Sequence, residues 1–157
     1  MDATSNIPSS RLLEERLSAL ELQIPDYRIV DQIDGLNARG RWAAALGSVN
    51  HPARDPDGHD MMLFAMLVVL DLDDQVVRMA NPLPSGAFRI NMLFRYLAMA
   101  MRDPVRGQPA RPETLVFPQE SLAALYRPLL LRVDVPYTVE NTTGFEAVFD
   151  AILGNLA

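Results

Sequence analysis

The stretch from Met61 to Leu72, MMLFAMLVVLDL, constrains this 157-residue chain more than any other. It is a continuous apolar run, rich in Val, Leu, Met and Phe, with no polar alternation until Asp71. A helix needs about 20 apolar residues to cross a bilayer, so this run cannot span one. With turn residues behind it, it reads as a strand covered on both faces. Asp73 and Asp74 then form a tight turn. Gln75 to Asn81 returns as the partner strand, closed by Pro82, Pro84, Ser85 and Gly86. A sheet with helices on its faces is the architecture that satisfies such a strand.

The other periodicities supply the remaining layers. Ser9–Ser10 can cap a helix beginning at Arg11. Its Leu13, Leu17, Leu20 and Ile24 make one narrow stripe, ended by Pro25. Residues 26–33 alternate loosely and read as a short strand, with a loop marked by Gly35, Asn37 and Gly40. Trp42 to Val49 reads as a further strand, and His51 to Asp60 as a loop. Ser85 caps a helix predicted over Ala87 to Arg102, apolar almost all round and so buried on more than one face. Glu113 to Phe117 is a strand, and Gln119 to Val133 a helix kinked or broken at Pro128. Val135 to Glu140 is another strand. Thr143 and Glu146 form a capping box for a last helix striped by Phe145, Val148, Phe149, Ile152, Leu153 and Leu156.

This order predicts an α+β fold: a mixed sheet, an antiparallel meander followed by βαβα crossovers, with helices packed on its faces. Residues 1–25 read as a tail and amphipathic helix, and 26–157 as a single domain.

Composition removes whole classes of chemistry. The chain has no cysteine, hence no disulfide, thiolate nucleophile or Cys-based zinc site. All 14 basic residues are arginine, so lysine Schiff bases and a P-loop lysine are excluded as well. A net charge of −6 opposes non-specific nucleic-acid binding. The N-terminus lacks the apolar core of a signal peptide. A cytoplasmic protein with no membrane segment, no nucleic-acid partner and no cofactor is the resulting expectation. No Gly-rich phosphate loop and no G-x-S-x-G elbow occurs.

Two clusters carry what chemistry remains. Asn50 to Gln75 holds six aspartates against one arginine, and Arg89 to Arg111 five arginines against one aspartate. Arg89, Arg95, Arg102, Arg106 and Arg111 are therefore the candidate partner-binding residues, since guanidinium groups make bidentate contacts to carboxylate or phosphate. Arg95 and Arg102 share a helix face two turns apart. Within the acidic half, His51, Asp55, Asp57 and His59 have the donor types of a Zn²⁺ or Mn²⁺ site. EF-hand spacing fails, because Met66 stands where the bidentate Glu is needed. Asp71 joins the metal candidates because an acid ending a buried strand is costly unless exposed or paired. The alternative for Asp71, Asp73 and Asp74 is a solvated hairpin turn, and that is the reading preferred. The seven methionines beyond Met1 read as core.

The element order resembles the ribonuclease-H-like fold. That resemblance implies a metal-binding acid inside the first strand, and Trp42 to Val49 has none; only Glu120 and Asp150 stand near the later positions. The stretch from Met61 onward also resembles an uncharacterised bacterial domain family of unknown function. LVVLDLDDQVV, AMAMRDPVRGQPARP, ETLVFP, SLAALYRPLL and VPYTVEN carry the likeness. It implies no catalytic residue.

Together these features lead to the expectation of a non-catalytic interaction or scaffold module that docks a protein partner or a second copy of itself. The alternative is a divalent-metal-dependent enzyme acting on phosphate esters or nucleic acid, through Asp71 with the 51–60 loop or Glu120, or a degenerate relative of one.

Overall fold

The computed structural model describes residues 13–84, 88–140, 147–148 and 150–151. Helical residues 13–19 (α1) come first, followed by α2 (Tyr27–Asp34), β1 (Arg41–Arg54), β2 (Asp60–Asp71) and β3 (Val76–Pro84). The chain continues through α3 (Ile90–Arg102), β4 (Thr114–Phe117), α4 (Glu120–Arg132) and β5 (Tyr137–Val139). The five strands form one sheet in the order β3-β2-β1-β4-β5. β2 is antiparallel to β1 and β3, whereas β4 runs parallel to β1 and to β5. This is the expected α+β sheet, a meander extended by crossovers through α3 and α4.

β2 is buried without interruption from Leu63 to Asp71 because both its faces are covered. Ala65, Leu67 and Val69 join Trp42, Ala44 and Leu46 in the core beneath α1 to α4. Met66, Val68 and Leu70 join Ala43, Ala45 and Val116 in a second cluster, against which Val148 packs. Leu13 and Leu17 lie in the first core with Ile29, Val30 and Ile33 of α2. Tyr126 of α4 sits at its centre, stacked 5.7 Å from Phe117, with its hydroxyl donating to the Leu93 carbonyl at 2.6 Å. Burial pushes that phenol well above its ordinary pKa.

Several sequence expectations are corrected. Residues 26–33 are not a strand: Asp26 caps α2 by accepting from the Arg28 amide at 2.9 Å, and Ile29, Val30 and Ile33 form its buried stripe. The 51–60 segment is mostly not a loop: β1 runs on to Arg54, and only residues 55–59 turn. α1 ends at residue 19, well before Pro25, and Ile24 is 86% exposed rather than part of a buried stripe. α3 begins at Ile90, three residues later than Ala87. Pro128 neither breaks nor ends α4. The hydrogen bond it forfeits would have ended on the carbonyl of Ala124, an exposed residue whose carbonyl water can serve. The Ser9–Ser10 and Ser85 caps, the Thr143–Glu146 box and most of the last helical stripe lie outside the described residues.

Candidate functional site

Asp71 is the C-terminal residue of β2 and only 7% exposed. Its Oδ1 accepts from the amides of Asp73 at 3.0 Å and Asp74 at 3.1 Å. That is an Asx turn, which gives the buried carboxylate its partners and shapes the hairpin. Asp73 in turn accepts from the Arg41 amide at 3.1 Å. The three aspartates are thus a hairpin turn tied to the start of β1.

The other acidic candidates stand at the far end of the same strand. Asp55 Oδ1 accepts from the amides of Asp57 at 3.0 Å and His59 at 2.8 Å. Asp55, Asp57 and His59 each bring one ligand atom within 4.8 Å of the others. They form an open acidic tip, with N and O donors of the kind Zn²⁺ or Mn²⁺ accepts. The His51 side chain lies outside the described set. The tip and Asp71 are separated by the length of β2, roughly 35 Å at 3.3 Å per residue, so they cannot share an ion. Glu120 is remote from Asp71 too. Its neighbour Gln119 clamps the Leu46 backbone with bonds of 2.7 and 2.8 Å, and Leu46 lies four residues along β1 from Trp42, the partner of Asp71. That offset is about 13 Å along the strand.

The tip crowns an arm. β3 last pairs with β2 at Leu63↔Pro84, and β4 last pairs with β1 at Ala43↔Val116. Among the described residues, Pro52–Arg54 and Asp60–Met62 pair only with each other. This two-stranded ribbon extends past the sheet and carries Met62, 48% exposed, on its side.

The arginine candidates separate into two groups. Arg111 is structural: half-buried, it donates from Nη1 to the Val133 carbonyl at 2.8 Å, and its backbone bridges to Ala38. Arg89, Arg95, Arg102 and Arg106 are exposed and, among the described residues, make no ion pair. The ion pairs that do form there are Arg41–Glu140, Arg54–Asp60 and Asp55–His59. On α3, Asn91, Arg95, Met99 and Arg102 are exposed at spacings of four, four and three, one continuous face. The opposite side of the helix is buried, so its apolar character belongs to the core, and what it offers outward is charge.

Arg28 on α2 completes this face and was not visible in the sequence, because its helix was read as a strand. Arg28, Gln32, Asn91 and Arg95 line a groove of about 170 Å³ between α2 and α3, with Asp26 at its edge. Asp26 is already engaged as the α2 cap. Beside the Asp26 carboxylate, the groove presents two guanidinium groups and two amides, a net excess of donors that suits a carboxylate or phosphate oxygen.

Arg78 is the other charged residue that sequence reading missed. It is 3% exposed, lies 3.9 Å over the Trp42 ring, and donates to the carbonyls of Ala100 at 3.1 Å and Gln108 at 2.6 Å. Burial lowers its pKa, opposed by the nearby Asp71 and Asp74 charges. It fastens the 103–112 connector to the sheet. An arginine flanked by Val and Met inside a strand is the one signal that could have marked it.

Comparison with protein-family models, with curated proteins and with solved structures returned no match for this chain. No helix among the described residues is long and apolar enough to cross a membrane.

Proposed function

We propose that this protein is a cytoplasmic, non-catalytic interaction module whose α2–α3 face docks an acidic segment of a protein partner. The observation that carries the reading is that Arg28, Arg95 and Arg102, on the adjoining faces of α2 and α3, make no ion pair among the described residues of a protein of net charge −6. With 20 acidic residues in the chain, intramolecular pairing would have been the ordinary outcome. Leaving these cations open favours an external anion, steered there by the local field. Exposed Met99 and Tyr27 give the face apolar contact area between the charges. The acidic remainder of the surface repels nucleic acid, which leaves an acidic polypeptide as the fitting partner.

The competing reading, a metal-dependent enzyme acting on phosphate esters or nucleic acid, needed Asp71 and the 51–60 loop, or Glu120, on one ion. The distances along β2 and β1 separate those groups.

Isothermal titration of the protein with an oligo-glutamate peptide tests the proposal. Binding should be measurable at low ionic strength and vanish near 1 M salt, where the Debye length falls to about 3 Å. Heat that is absent at low salt, or unchanged by salt, would remove the reading.

A further inference from the structure

We infer that the acidic β1–β2 arm of one copy docks in the arginine-lined α2–α3 groove of a second copy. This rests on the proposed function above and names the partner. The arm and the groove are complementary in charge: Asp55, Asp57 and Asp60 at the tip, against Arg28 and Arg95 in the groove, where Asp26 is the single carboxylate.

Among the described residues, neither surface pairs with another part of its own chain. Among the described residues, the arm's ion pairs are internal, Arg54–Asp60 and Asp55–His59, and the arginines have none. The arm reaches beyond the last pairs that β3 and β4 make, and no strand among the described residues flanks it. A two-stranded ribbon alone is marginal in water, so seating it against a second molecule supplies the contacts its own sheet does not.

The sizes and chemistry also agree. A groove of about 170 Å³ accepts one carboxylate side chain, which two guanidinium groups can grip by charge-assisted bonds. Met62 on the arm, 48% exposed, and Met99 on α3, 43% exposed, give each side one adaptable apolar contact. An interface this small and polar belongs to the weak, reversible class, sensitive to salt.

Sedimentation velocity on the full chain tests the inference, using wild type, Asp57→Arg, Arg95→Glu and an equimolar mixture of the two variants. Both positions are exposed, and the Asp57 side chain takes no part in the turn, which Asp55 holds. Wild type should associate at low salt and dissociate near 1 M. Each variant alone should lose association, because positions 57 and 95, which meet across the contact, then carry like charges. The mixture should regain it, since a reversed arm fits a reversed groove while the unaltered arm fits the unaltered groove. A mixture that stays monomeric, or single variants that associate like wild type, would overturn the inference. Wild type that is monomeric at low salt yet binds oligo-glutamate would sink the self-docking alone. Failure of both assays would sink the proposed function with it.

Discussion

The Arg78 guanidinium lies 3.9 Å over the Trp42 ring, and Gly107 approaches it so closely that a Cβ there would stand 2.7 Å from its Nη1. A strand residue, a core aromatic and a loop glycine are thus one unit, holding the connector after α3 to the end of the sheet. Gly107 also has φ +92°, a conformation that side chains resist. Arg78→Ala strands one buried and one part-buried carbonyl and removes the contact with Trp42, and should cost about 3 kcal/mol. Gly107→Ala should cost about 1–2 kcal/mol in wild type. Its cost should shrink in the Arg78→Ala background, where the clash is gone and the backbone strain remains. Urea denaturation of the four proteins reads that coupling; additive losses would contradict it.

The Asp71 turn makes a separate demand. Asp71→Ala removes the acceptor for two amides and should cost about 1–2 kcal/mol, with Asp71→Asn losing less. Because Asp71 stands at the opposite end of β2 from Asp55, Asp57 and His59, it should have no part in any response to metal. Melting curves of wild type and Asp71→Ala with millimolar Mn²⁺ should shift equally. A Mn²⁺ shift present in wild type and lost in Asp71→Ala would contradict the hairpin-turn assignment.

Tyr126 sets the behaviour at high pH. Its folded pKa is raised by burial above the ordinary value of 10.0. The folded protein therefore holds the proton more tightly than the unfolded chain. The resulting stability is fully present below pH 10 and is lost as the pH climbs above it toward the folded value. The slope approaches about 1.4 kcal/mol per pH unit for one such group. Tyr126→Phe should flatten most of that decline, leaving the smaller contribution of half-buried Tyr96, while costing about 1 kcal/mol at neutral pH for the lost bond to Leu93. Urea midpoints between pH 8 and 11 measure it, and an undiminished slope in Tyr126→Phe would contradict the account.

How far the sequence could be read depended on whether local pattern and tertiary context agreed. They agree in the β2–β3 hairpin, in α3 and in α4, where long apolar runs and turn aspartates leave little choice. They part at α2, where Tyr27, Ile29 and Val30 have strand character but an Asp26 cap and core contacts make the helix. They part again in the 51–60 segment, whose loop composition includes Pro52, although β1 runs on to Arg54. Past Ala43, β1 has no β4 partner among the described residues, so a proline there interrupts no β1–β4 ladder. Pro82 and Pro84 are accommodated likewise on the edge strand β3. Of the site, the arginines could be named from charge distribution alone. Their lack of ion pairs, the structural use of Arg111 and the contribution of Arg28 depend on which helices meet, which no local pattern encodes.

The most direct test of the arginine face compares wild type, the double variant Arg95→Glu/Arg102→Glu, and Arg127→Glu/Arg132→Glu, two exposed arginines of α4 that serve as a control for overall charge. Anisotropy of a fluorescent oligo-glutamate peptide at low salt gives each affinity. The account predicts a loss of at least about tenfold, 1.4 kcal/mol, for the double variant and little change for the control. Equal losses in both, or none in either, would show that the peptide reads general charge or nothing at all, and would contradict a docking site on the α2–α3 face.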